Sequence, residues 1–164
     1  EMFSALKEQE NVAFLAIGRP EKVGCYCQVN DVLKDLIASL AVNFDFVVID
    51  GEAGIEQVNR RVMERVTHLL LVSDASRKGI NVAQTIKDVS DSAIDYEKAG
   101  LIINRLMSAE EAEKLSIPPE LNCLGWIPED DTLRSFDIEG RSILEIDDSP
   151  VITAVRNCLG KIGL

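Results

Sequence analysis

Short apolar runs separated by amphipathic stretches recur along this chain, and that alternation constrains its fold more than any other feature. Val12 to Ile17, Phe44 to Ile49, His68 to Ser73, Gly100 to Ile103 and Asn122 to Ile127 have the length and character of strands. Between them lie helical patterns. Val32, Leu33, Leu36, Ile37 and Leu40 recur at helical spacing behind a capping Asn30, and further helices are predicted over Glu56 to Arg65, Ile80 to Val89, Ala109 to Leu115, Thr132 to Ile138 and Pro150 to about Lys161. Apolar strands alternating with amphipathic helices imply a mostly parallel sheet flanked by helices, a three-layer α/β fold.

Bulk properties set what such a domain would meet. At 164 residues and 46% hydrophobic content the chain suffices for one well-cored domain, and residues 1–164 are read as one. No Pro/Gly/Ser-rich linker divides the series, although Ser108 to Pro119 is polar enough for a surface helix and loop. A net charge of -11 disfavours nucleic acid as a partner, because such binding relies on Lys and Arg neutralising phosphates, and it disfavours anionic membranes too. Four cysteines, with no charged-then-apolar leader and no apolar stretch of membrane-spanning length, read as reduced thiols of a cytoplasmic protein.

In open parallel sheets, ligands sit beyond the carboxyl ends of the strands. Four loops qualify: Asp50 to Gly54, Asp74 to Gly79, Asn104-Arg105, and Pro128 to Asp131. Asp50 closes an apolar run before the Gly-flanked acidic loop Gly51-Glu52-Ala53-Gly54 and is the candidate catalytic carboxylate. At the end of a buried strand it would be desolvated unless a charge or hydrogen bond faced it, and Mg2+ with its water shell would supply both. Gly51 and Gly54 would let the backbone approach a γ-phosphate, with the Gly54 N–H donating to it. Glu56 reads equally as a cap of the next helix or as part of a switch, and Glu52 as solvent-facing. The phosphate-cradling loop that such a site needs, Gly-x-x-x-x-Gly-Lys-Ser/Thr or a Lys-Gly-Gly variant, does not occur in these residues.

Cys25 and Cys27 stand one residue apart in Val-Gly-Cys-Tyr-Cys-Gln-Val-Asn. In an extended segment, residues i and i+2 point to the same side, so two thiolates could grip one ion, at about 2.3 Å each for zinc. Two ligands do not complete a tetrahedron. A two-fold axis near this loop would bring four thiolates together, a set that suits Zn2+, or Ni2+ if the ligands relax toward a plane. The competing reading is two small, partly buried thiols. Cys123, Cys158 and Trp126 read as core, and His68 as a strand-edge residue. The last helix reads as docked on the sheet, because Arg156 and Lys161 alone give it positive charge and an interfacial helix usually carries more.

Taken in order, Gly-Cys-Tyr-Cys-Gln-Val-Asn-Asp-Val-Leu, Phe-Asp-Phe-Val-Val-Ile-Asp-Gly-Glu-Ala-Gly-Ile-Glu, Asp-Ala-Ser-Arg-Lys-Gly, Leu-Ile-Ile-Asn-Arg and Leu-Gly-Trp-Ile-Pro-Glu-Asp resemble the CooC-type accessory ATPases of carbon monoxide dehydrogenase. These are nickel-insertion proteins within the MinD/ParA/CobQ group of deviant P-loop NTPases. The resemblance covers roughly residues 12–146 and departs from the pattern at Gly51, where relatives usually carry Ser or Thr. It implies that the chain is the C-terminal portion of such a protein, with the phosphate loop upstream of Glu1, and that these residues alone do not hydrolyse ATP appreciably.

The resemblance further implies an ATP/ADP site with Mg2+, in which Asn104, with Arg105 beside it, meets the adenine edge and Pro128 and Glu129 close the other side. An Asx-type turn is the plain alternative for Asn104, and a solvated loop for Arg77 and Lys78. It implies a homodimer holding metal between the Cys25/Cys27 pairs, with carbon monoxide dehydrogenase as client. Two other classes fit the same pattern: a MinD/ParA-like regulatory protein acting by nucleotide-gated dimerisation, and a relative of the cobyrinate amidases, for which the single His68 offers no catalytic base partner.

Overall fold

A computed structural model describes residues 6–9, 11–16, 35, 37–51, 65–146 and 149–164. Five strands occur among them: β1 (Leu6–Gln9), β2 (Val12–Leu15), β3 (Arg65–Ser73), β4 (Asp95–Leu106) and β5 (Cys123–Pro128). Helices are α1 (Arg77–Ala93), α2 (Ala109–Glu113), α3 (Asp131–Glu139) and α4 (Pro150–Gly160), residues 35 and 37–41 are also helical, and single 3-10 turns lie at Pro119–Leu121 and Ile143–Glu145.

The main sheet is parallel, in the order β3-β4-β5. Leu101, Ile102 and Ile103 are 0%, 4% and 1% exposed, so three consecutive side chains alternate between two covered faces, as only a central strand of a wrapped parallel sheet allows. On one face Leu71, Leu101 and Ile103 pack with Ile80 and Ala83 of α1 and with Leu106 and Leu121. On the other, Ile102 and Leu124 meet Cys158 of α4 and Ile162. Helices on both faces make the three-layer α/β arrangement expected from the alternation of runs.

The last helix docks on the sheet, as its sparse positive charge implied. Lys98 Nζ donates to the Ile162 carbonyl at 2.6 Å, His68 Nε2 lies 3.1 Å from the same oxygen, and Lys161 Nζ donates to the Leu124 carbonyl at 2.5 Å. His68 is therefore a clamp on the chain beyond α4. Close approach is possible because β5 bulges: Leu101 faces Cys123 and Ile102 faces Gly125, leaving Leu124 as the extra residue. Gly125 has φ 149°, and a Cβ there would lie 2.9 Å from Cys158 Sγ.

Three expectations are corrected. Phe44 to Ile49 forms no strand: Phe46 is 76% and Val48 93% exposed, and no strand among the described residues pairs with this segment. An apolar run states what cover a strand requires but does not provide it. Val12–Leu15 pairs antiparallel with β1, Leu6 opposite Leu15, in a hairpin apart from the parallel series. Cys123, read as core, is exposed, because it opens β5 at the sheet's edge and its thiol turns to the Gly125 carbonyl at 3.7 Å. Cys158 is buried as read, and Trp126 packs against the first core cluster while staying partly exposed.

Gly125→Ala should destabilise the chain by about 1–3 kcal/mol, since it combines an unfavourable φ with a clash against Cys158. Urea unfolding followed by circular dichroism measures it. Gly125→Ala combined with Cys158→Ala should recover part of the loss, because the neighbouring sulfur is then gone.

Candidate functional site

The strands of the main sheet are parallel, so the loops after β3, β4 and β5 all emerge at one end of it. Two of them are joined. Ile103 pairs with Trp126 and Leu106 with Pro128, so Asn104 and Arg105 together oppose Ile127 and bulge from the ladder. Beyond the bulge, Glu129 N–H donates to the Leu106 carbonyl at 2.9 Å. The structure thus brings together Asn104, Arg105, Pro128 and Glu129.

The bulge fixes the Asn104 side chain. Arg105 takes a left-handed φ of 61°, unusual outside glycine, and its N–H donates to Asn104 Oδ1 at 3.0 Å. With the amide oxygen held in this way, the Asn104 NH2 group makes no hydrogen bond within the described residues and can donate outward. The turn-like reading of Asn104 and the base-facing one are compatible, because one end of the amide serves each. A groove of about 620 Å³ lies between β5 and α4, lined by Trp126, Pro128, Pro150, Ala154 and Cys158 among others; of the four residues above, Pro128 lines it.

After β3, Asp74 Oδ1 accepts from the Ser76 hydroxyl at 2.6 Å and the Ser76 amide at 2.9 Å. Ser76 Oγ then accepts from Gly79 N–H at 2.9 Å, capping α1. A Cβ on Gly79 would run into Asp74 Oδ1 and stand 2.6 Å from Ser73 Oγ, so any other residue there would push these two side chains aside. The Ser76 hydroxyl, and secondarily its amide, hold the Asp74 carboxyl below the usual carboxylate range against a small opposing effect of burial. The first turn of α1 contains no acidic residue, and Arg77 and Lys78 stand there without an ion-pair partner among the described residues, as does Arg105. Arg77, Lys78 and Arg105 share that end of the sheet with the carboxylates Asp74, Glu129, Asp130 and Asp131.

Asp50 and Gly51 are exposed and follow no strand, so the desolvated carboxylate expected at position 50 is not found there; water reaches it because the preceding segment is itself unpaired. Cys25, Cys27, Glu52, Gly54 and Glu56 lie outside the described residues. Among the described residues no group of three or more His, Cys, Asp or Glu could hold a metal ion, and no helix is long and apolar enough to cross a membrane. The Cys158 thiol is pushed up by burial, with Lys161 opposing.

No family model matches the chain. Among solved structures it is similar to the cell division ATPase MinD of Pyrococcus furiosus, with a TM-score of 0.64 at 22% identity, covering 98% of this chain and 70% of that one. A chain of a MinC:MinD cell division protein complex from Aquifex aeolicus gives 0.66 at 19% identity, covering 98% and 67%. The chain has the MinD-type fold. Among curated proteins, an uncharacterized ATP-binding protein of Methanocaldococcus jannaschii is 32% identical over 143 residues, 85% of this chain and 56% of the relative. A second ATP-binding protein of that organism is 28% identical over 139 residues, 81% and 54%. The chain spans about half the length of these relatives. Within the MinD-type fold, the bulge near the end of β4 and the loop after β5 occupy the end of the sheet where ligands of open α/β folds bind.

Because Asp74 titrates lower folded than unfolded, its contribution to the α1 cap is complete above the ordinary carboxylate range and is lost as pH falls through the depressed value. In an NMR titration the Ser76 amide should follow a midpoint below that of an unperturbed Asp, and Asp74→Asn should abolish the transition. Gly79→Ala should cost about 1–3 kcal/mol in urea unfolding.

Proposed function

We propose that this chain contributes the base-binding end of an ATP site in a protein of the MinD/ParA group of deviant P-loop NTPases. The observation that carries the reading is the Glu129 N–H to Leu106 carbonyl bond, which holds Asn104-Arg105 against Pro128-Glu129. The ATP-binding relatives and the MinD-type fold support it. In this site the Asn104 NH2 donates to a ring nitrogen of adenine, Pro128 packs on the base, and Arg77, Lys78 and Arg105 are the cations available to the polyphosphate. Bound Mg2+ would neutralise phosphate charge, with Asp50 as the carboxylate offered to its water shell. Such a protein acts by nucleotide-gated dimerisation on a partner, in the cytoplasm.

Titration of the 164-residue chain with Mg-ATP and Mg-GTP, followed by fluorescence of its only tryptophan, Trp126, tests this. ATP should bind more tightly than GTP, and Asn104→Ala should weaken ATP about tenfold, the loss of one hydrogen bond to a buried base edge. Equal affinity for both nucleotides, or an indifferent Asn104→Ala, would sink the reading.

A finer reading rests on Cys25 and Cys27 together with the CooC-like order of motifs: the parent protein is a nickel metallochaperone for carbon monoxide dehydrogenase, with Zn2+ or Ni2+ held between the subunits of a homodimer. Nickel is then cargo. Metal analysis beside sedimentation should find about one ion per two chains, lost with the dimer in Cys25→Ser/Cys27→Ser. Unchanged metal content in that double variant refutes the finer reading and leaves the ATP site standing.

A further inference from the structure

Two helices begin on one carboxylate. Asp130 Oδ1 accepts from Leu133 N–H at 2.9 Å and caps α3, while Oδ2 accepts the Ser149 hydroxyl at 3.2 Å. Ser149 Oγ in turn accepts from Val151 N–H at 3.1 Å and caps α4, and the Ser149 carbonyl receives Thr153 N–H. Ser149 is 2% exposed, so water does not compete for its hydroxyl. Asp130 directly follows Pro128-Glu129, and Glu129 is bonded to Leu106 beside the Asn104-Arg105 bulge. A continuous series of hydrogen bonds therefore runs from the bulge through the loop to the first turn of α4. The far end of that helix is fixed independently, through Lys98 and His68 on the Ile162 carbonyl. Release at Ser149 would consequently free the first turn, with Pro150 on the groove wall, while leaving the helix attached.

We propose that Asp130 and Ser149 are positioning residues of the base pocket: their shared hydrogen bond locks the start of α4 to the Pro128-Glu129 loop, and the pocket keeps its shape only while both helix caps share that carboxylate. The inference rests on the reading of this loop as adenine-facing. It makes α4 responsive to occupancy, because a base that braces the loop also braces Asp130.

Three variants of the full chain separate capping from locking. Asp130→Ser keeps an acceptor for the cap of α3 but is too short to reach Ser149 as well; Ser149→Ala cuts the same bond from the other side together with the cap of α4; Ser149→Thr retains the hydroxyl. Amide hydrogen exchange reads the lock without any nucleotide. Asp130→Ser should accelerate exchange of Val151 and Thr153, in the other helix, about tenfold, the loss of one charge-assisted hydrogen bond. Unchanged exchange there overturns the lock.

Mg-ATP titration reads the positioning role. Each of Asp130→Ser and Ser149→Ala should raise Kd about tenfold, their combination no further, and Ser149→Thr should bind like the parent chain. Additive losses, or parental affinity in Asp130→Ser, overturn it. A parent chain that binds no ATP overturns the adenine reading and with it the positioning role, and the exchange experiment still decides whether the caps are locked.

Discussion

Burial of Leu101, Ile102 and Ile103 on both faces of the sheet is the constraint on which the other features depend. Each such side chain contributes about 1.5–3 kcal/mol when withdrawn from water, and three in succession can be withdrawn only if cover lies above and below. That requirement places α1 and the turn at Leu121 on one side and α4 on the other. It also directs the strands one way, so their loops converge. The candidate site is thus a by-product of core packing, and the hydrogen bonds among its loops refine a position that the strands have already set.

Convergence alone would leave the loops free to drift apart. Two irregularities prevent that. The extra residue in β4 turns Asn104 and Arg105 out of the ladder, and the bond from Glu129 to Leu106 closes the gap that the bulge opens. Backbone strain at Arg105 is tolerated because its amide finds the Asn104 side chain. Strain of this sort collects where geometry serves a ligand, consistent with a rigid edge for reading a planar base.

Much of this was legible in the sequence, unevenly. The run Leu101 to Ile103 and the helical spacing of Ile80, Ala83 and Ile86 declared their elements because local pattern and final environment agree. Phe44 to Ile49 carries an equally strong strand pattern and stands exposed, since a pattern encodes demand for neighbours and the described residues provide none. Cys123 misled because apolar character was read from the whole run, while burial at a strand's first residue depends on what lies beside it. Asn104 and Pro128 were singled out from motif order, and the structure pairs the segments that carry them. The sharing of Asp130 with Ser149, 19 positions away, was invisible, since either residue alone reads as an ordinary cap.

The two borders of the sheet differ in kind. At β5 the bulge at Gly125 and the terminal Pro128 spoil the regular row of donors and acceptors that a foreign strand would require. β3 is nine residues long, with Val72 62% exposed, and among the described residues no strand pairs on its outer side. Among the described residues, then, β3 offers the more regular row to a further strand, and a charged side chain placed along it would make that pairing less favourable.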